Sequence, residues 1–300
     1  MKFDRILTRG LYLARNWTEA KIHAGLHKTG STSLQQSLRS AGLLQSSRRG
    51  DFRESESFRE ILVIANSKKR VVSSEHLLGE ILDMYSTAPA RFELLKTTLE
   101  SSHTTLYLRP HTQWHSSAYS QIVQQGTELN QEDYEKSIAG SRYFSWARLA
   151  DDLLTLSTPA ARVSIRASGQ VIADYAKVLG VRLPPAQRRN RSLSPMAVEA
   201  FTRLTSEGFV SPHKARKALI NFMPESKSTS SVFSQNFQLK LIEMKEDWYE
   251  LSEKLSAFGQ TIHHSWLDTY NVDVLPSARE IFRAGHLKAA KRHILQHLDK

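Results

Sequence analysis

The chain of 300 residues contains no cysteine. Disulfides, thiol nucleophiles and thiolate metal sites are thereby excluded, which agrees with a reducing compartment. Long hydrophobic runs are also missing. The longest fully apolar stretch, ILVIA at 61–65, is far short of the roughly 20 residues a membrane span needs. The opening segment, MKFDRILTRGLYLARNW, is basic throughout and lacks the uninterrupted apolar stretch of a signal peptide. It reads as an amphipathic or unstructured leader, and the expected location is cytoplasmic. No G-x-S-x-G occurs, so a nucleophile-elbow hydrolase is unsupported. No zinc finger, RNP motif or long basic arm occurs, so nucleic acid is not expected as a partner. Nor is there an internal repeat. His111 and His115 lie four apart, as do His293 and His297. That spacing suits two metal ligands on one helix face, but no H-E-x-x-H pattern or third ligand accompanies it. These four read as ordinary exposed histidines, and no metal is expected.

What the chain does have is positive charge: 41 Lys and Arg against 30 Asp and Glu, a net of +11. A charge of that size favours anionic partners such as lipid headgroups, phosphorylated cofactors or acidic glycans. With 40% hydrophobic residues, a chain this long can bury a sizeable core without staples.

Strand-like and helix-like patterns alternate through the first two-thirds. KIHAG from residue 21 reads as a strand, and residues 31–41 as a helix with Leu34, Leu38 and Ala41 on one face. VVSS at 71–74, TTLYLR at 104–109 and ARVSIRA at 161–167 read as further strands. Helices are expected over 89–100, most of 113–156 and 170–179, the last stopping at Gly180. Beyond Pro184 and Pro185 the strand signal ends. Residues 195–300 read as helices broken by a Ser-rich loop at 226–234, the last a basic amphipathic helix over 277–300 with Ile281, Ala284, Leu287, Ile294 and Leu298 inward. This helix can touch anionic lipid, although packing on the domain is the preferred reading. The polar segment 45–60 reads as a surface insertion or lid. Strands alternating with helices imply an α/β fold, with a mostly parallel central sheet flanked by helices and a helical C-terminal third. One domain is expected, with an α/β core over 21–190 and a helical part over 191–300.

The most informative stretch joins the first strand to the first helix. Gly25-Leu-His-Lys-Thr-Gly30-Ser31-Thr32 keeps the glycine spacing of a Walker A loop, G-x-x-x-x-G-K-[ST], but has Ser31 where the lysine belongs. The lysine is Lys28, inside the loop. Backbone N–H groups of such a turn and the helix dipole still favour an anion. Ser31, Thr32 and Ser33 add hydroxyls, although Thr32 with Gln35 can alternatively form a capping box. At the mouth of the turn, Lys28 suits a bridging oxygen beside a single bound phosphate.

The core Lys28-Thr29-Gly30-Ser31-Thr32 resembles the 5′-phosphosulfate loop of sulfotransferases, [KR]-[ST]-G-[ST]-[ST], which grips 3′-phosphoadenosine 5′-phosphosulfate (PAPS). A second resemblance lies at LYLRPHTQWHSSAYSQ, where Arg109 ends a strand and Ser117 follows eight positions later. In those enzymes an arginine and serine at this spacing bind the 3′-phosphate. A guanidinium fork suits phosphate oxygens. In an open α/β sheet, ligands sit beyond the carboxyl ends of the strands. VVSSEHL, YFSWARLADDL, ARVSIRASGQVIADYAKVLGV and NRSLSPMAVEAF resemble successive segments of bacterial sulfotransferases, up to about residue 205. The C-terminal G-x-x-G-x-W-K of cytosolic members is absent, which places the resemblance nearer the glycan-modifying branch.

The resemblance implies the P-loop NTPase-like sulfotransferase fold and sulfuryl transfer from PAPS to a hydroxyl of a glycan or glycolipid, leaving 3′-phosphoadenosine 5′-phosphate. No metal is required. The base it implies is Glu75, in VVSSEHL, with His76 as the rival because an imidazole titrates nearer neutrality. Lys28 would neutralise charge on the leaving phosphate oxygen. Arg188, Arg189 and Arg191 form a basic loop that can close over the phosphate or stay solvated, and Trp114 is expected in the core. Two other readings remain. A P-loop kinase or NTPase would treat VVSSE as its Walker B strand but lacks the lysine after Gly30. A non-catalytic polyanion-binding module would need only the charge.

Overall fold

The computed structural model describes residues 19–44, 71–127, 129–167, 169–186, 193–220, 222, 230–260, 262 and 264–298. The leader, the expected lid at 45–60, the three arginines of the basic loop and much of the Ser-rich loop lie outside these residues. In chain order the elements are β1 (Ala20–Ala24), α1 (Ser31–Ser40), β2 (Val71–Ser74), α2 (Ala88–Thr98), β3 (Ser102–Tyr107), α3 (His111–Gln124), α4 (Gln131–Ala139), α5 (Trp146–Thr155), β4 (Ala161–Arg166), α6 (Val171–Leu179), α7 (Pro195–Ser206), α8 (Pro212–Leu219), α9 (Gln235–Glu243), α10 (Lys245–Ala257), α11 (Ala278–Ile281) and α12 (Ala284–Leu298). Among the described residues no helix is long and apolar enough to cross a membrane.

The chain divides into two compact units. One takes Met1–Arg109, Ser141–Arg188 and Asp247–His264, the other Pro110–Gly140, Arg189–Glu246 and Ser265–Lys300. The expected boundary near residue 190 is thus one of several crossings. The first unit also claims part of α10, and the second claims α3 and α4.

The first unit is an α/β layer. Its four strands are all parallel, in the order β2-β1-β3-β4. β1 is central and buried at every position, as a parallel strand covered on both faces must be. Leu34 and Leu38 of α1 pack with Val171, Tyr175 and Leu179 of α6 and with Val71 and Tyr107 of the sheet. The four-residue spacing in both helices gives each one an apolar stripe. α6 ends at Gly180, whose φ of 62° is the left-handed cap glycine adopts readily. At the start of α5, Ser145 accepts from the Arg148 N–H at 3.1 Å. The buried Asp247 carboxylate accepts from the Trp146 N–H at 2.8 Å and from the Ser145 hydroxyl. The Gln260 side chain spans the outer edge of β4, accepting from Ile165 N at 2.6 Å and donating to Val163 O at 3.2 Å. That covers backbone groups an edge strand would leave bare.

Just before β1, the half-buried Glu19 accepts from Lys21 and from Arg162 of β4, both at 2.5 Å. Burial pushes its carboxyl up, but hydrogen bonds and charge from Arg162 and Lys21 outweigh this and bring it to about 2, from 4.5. A depressed carboxyl stabilises the fold above its unfolded value and loses that contribution as pH falls toward the folded one. Glu19→Gln is therefore expected to cost about 1–2 kcal/mol at pH 7, because Arg162 is largely in solvent. Urea unfolding of both proteins should show the gap closing between pH 4.5 and 2. A gap constant across that range would contradict it.

The second unit is helical. His111 and His115 are fully buried in it, contrary to the exposed positions expected from sequence. Tyr270 OH lies 2.8 Å from His111 Nδ1, and Tyr134 OH 3.0 Å from His115 Nδ1. Aromatic neighbours explain their burial: Trp114, Tyr134 and Phe237 surround His115, and burial holds its imidazole neutral, well below its ordinary pKa. Trp114 is in the core, as expected. The C-terminal helix is broken. Ser277 and Glu280 form a capping box on α11, and Phe282 is extended before α12 begins. The break resets the stripe, so Ala284 is exposed while Ala290 and Ile294 are fully buried.

Candidate functional site

β1 and β2 run parallel with Ala24 opposite Ser74. Gly25 and Glu75 therefore leave the sheet side by side, one strand spacing apart, roughly 4.8 Å. β3 lies on the other side of β1 with Thr105 opposite His23, so Arg109 emerges at the same carboxyl edge. The sheet thus brings the phosphate-type turn, Glu75, His76 and Arg109 to one edge of the first unit. Ser117 belongs to the second unit. It lies in the second turn of α3, beyond the helix's first four N–H groups, and lines a cavity of about 420 Å³ with Ser116, Ser120, Ser230 and Gln238.

The turn is held from within. Thr29 Oγ1 donates to Leu26 O at 2.6 Å and Ser31 Oγ donates to the same carbonyl at 3.4 Å. Both side chains are buried. Gly30 is the N-cap of α1, with φ of 95°, and no side chain caps the first turn. The capping box of Thr32 with Gln35 is not formed: Thr32 Oγ1 donates to Glu75 Oε1 at 3.4 Å, and Gln35 Nε2 donates to Ser73 O at 3.4 Å. The first-turn N–H groups of α1 thus keep their capacity for an anion. Lys28 itself sits in the left-handed region at φ 65°, a conformation that places a non-glycine residue under strain.

Beneath the turn lies His23, which is fully buried. Its Nδ1 is 2.8 Å from Ser73 Oγ, and its Nε2 has no hydrogen-bond partner. Burial lowers its pKa to about 3, so the ring is neutral. A Cβ on Gly25 would stand 2.1 Å from Ser31 Oγ, 2.6 Å from His23 Cε1 and 3.0 Å from His23 Nε2. Only glycine fits there. A close-packed turn, an uncapped helix start and an orphaned ring nitrogen under it together fit a cradle for a phosphate group.

Glu75 is half-buried. Burial raises its carboxyl above the ordinary value, while the nearby His76 and Lys28 charges and the Thr32 hydroxyl pull the other way. A carboxylate whose proton affinity has been raised is a better general base. His76 is exposed and differently engaged: its Nδ1 is 2.7 Å from Glu80 Oε1, and this hydrogen bond raises its pKa. Arg91 Nη1 donates to the His76 carbonyl at 2.7 Å. Arg109 has its carbonyl pinned by Trp146 Nε1 at 3.0 Å.

Three groups at this edge carry no linear motif. His23 is visible in the sequence only as a polar residue inside a strand. His27, between the glycines, is 1% exposed and packs 4.7 Å from the His76 ring. Arg166 ends β4 and donates to Asp174 Oδ1 at 2.9 Å, while Tyr107 OH donates to Asp174 Oδ2 at 2.7 Å. A cation at a strand end is the one signal that could have found Arg166. No protein-family model matches the sequence, and no curated protein or solved structure matches it.

Proposed function

We propose that this chain is a sulfotransferase of the P-loop type, moving a sulfuryl group from PAPS to a hydroxyl of a glycan or glycolipid. The observation that carries this reading is the uncapped Lys28-Thr29-Gly30-Ser31-Thr32 turn, with Glu75 leaving the sheet beside it. In the proposed reaction Glu75 takes the acceptor's proton as its oxygen bonds to sulfur. The bond from sulfur to the bridging phosphate oxygen breaks, and Lys28 neutralises the charge left on that oxygen. The turn N–H groups hold the 5′ end, and Arg109, at the same edge of the first unit, holds the 3′-phosphate. Positioning and fixed charge supply most of the catalysis for such an in-line transfer. The net charge of +11 suits an acidic glycan or a glycolipid among anionic headgroups, and the reaction would run in the cytoplasm or at its membrane face.

Thermal unfolding with separate ligands tests the donor. A ligand at about 100 times its Kd stabilises the native state by about 2.7 kcal/mol. 3′-Phosphoadenosine 5′-phosphate should raise Tm, and Lys28→Ala and Arg109→Ala should each reduce the shift. A shift with ATP–Mg²⁺ alone would point to a kinase instead. A shift with heparin-like polymer alone would point to a binding module.

A further inference from the structure

We propose a zinc site at the mouth of the turn, formed by His27, His76 and Glu80. It requires no bound nucleotide and stands whether or not the donor reading holds. The sequence shows only half of it: His76 and Glu80 stand four apart after β2, but His27 comes from the turn after β1 with no ligand spacing to either. In the fold, one ligand atom from each of the three side chains lies within 4.8 Å of the others. Tetrahedral Zn²⁺ holds nitrogen and oxygen ligands at about 2.0–2.1 Å, which puts neighbouring ligand atoms about 3.3 Å apart. Side-chain rotation closes that gap, since His76 and Glu80 are 48% and 39% exposed.

His27 is the fixed member. It is buried, and Tyr85 OH lies 3.0 Å from both its Nδ1 and its backbone N. With Nδ1 engaged, Nε2 is the nitrogen that takes the ion. An oxygen on the other ring nitrogen is how proteins orient a histidine toward a metal. The chain pays strain to put Tyr85 there: Met84 and Tyr85 are both left-handed, at φ 48° and 57°, and both are fully buried. Arg91 steadies the opposite side through the His76 carbonyl. Two imidazoles and one carboxylate suit Zn²⁺, and three protein ligands with a solvent-facing side leave a fourth position for water. An ion there adds positive charge one residue from Lys28.

The full chain, stripped with chelator and dialysed, is titrated with Zn²⁺ by calorimetry and with Co²⁺ by visible absorption, nucleotide absent throughout. One saturable equivalent of Zn²⁺ and the intense bands of four-coordinate Co²⁺ are expected. His76→Ala, at an exposed position, and Glu80→Gln, at a half-buried one, should fold normally by circular dichroism and each lose affinity at least 100-fold. Tyr85→Phe should lose about 10–100-fold. Absence of saturable binding, or binding unchanged in His76→Ala/Glu80→Gln, overturns the site. Because no nucleotide is used, that outcome leaves the donor reading to be judged by its own thermal shifts.

Discussion

Glu75→Gln is expected to lower sulfuryl transfer about 10²–10⁴-fold, the range a positioned general base supplies, and to leave the Tm shift with 3′-phosphoadenosine 5′-phosphate intact. The substitution keeps the shape of the side chain and removes its proton affinity. The hydrogen bond it accepts from Thr32 Oγ1 at 3.4 Å can be accepted by the amide oxygen instead. The half-buried site pushes the carboxyl up, so its removal costs the reaction a base strengthened by desolvation. His76→Ala separates the two candidates. His76 is turned away from that role, because its Nδ1 is engaged by Glu80 at 2.7 Å. His76→Ala should therefore retain turnover within about 10-fold. A normal rate in Glu75→Gln with a collapsed rate in His76→Ala would reverse the assignment.

Local pattern carried the first unit a long way. β2 falls on VVSS as read, α1 and α6 fall within a residue or so of their expected spans, and Gly180 stops α6 through a backbone conformation favouring glycine. The all-parallel sheet follows from strands alternating with helices. What periodicity could not give was register. Whether Ser74 lies opposite Ala24 decides that Glu75 neighbours the turn, and register is set by long-range packing of both faces. The same limit hid the approach of His27 to His76 and Glu80, since that local pair meets the turn only through the strand pairing. It also misplaced His111 and His115. Their four-residue spacing put them on one helix face, but nothing local says that Tyr134 and Tyr270 supply hydroxyls that make burial tolerable. A polar residue's fate depends on partners distant in sequence. In the C-terminal helix, the extended Phe282 between α11 and α12 carries no breaker residue to announce the interruption.

Gly25→Ala should abolish the nucleotide-dependent Tm shift, lowering affinity at least about 100-fold, or about 2.7 kcal/mol at 1.36 kcal/mol per factor of ten. The added methyl would lie 2.1 Å from Ser31 Oγ and 2.6 Å from His23 Cε1. Ser31 could rotate aside, but that breaks its bond to the Leu26 carbonyl. The His23 ring has no such exit. It is fully buried, its Nδ1 is held by Ser73, and Tyr107 and Tyr175 pack at 5.7 and 5.6 Å. The turn must therefore lift from the sheet, and its N–H groups lose their common focus. Overpacking of this kind costs about 1–3 kcal/mol of stability, so the apo protein should also melt a few degrees lower. His23→Ala in the same background vacates the space beneath the methyl. If the turn's shape is what binds the anion, the double variant should recover part of the ligand shift that Gly25→Ala loses. Full ligand response in Gly25→Ala alone would mean that the anion is held elsewhere on this edge.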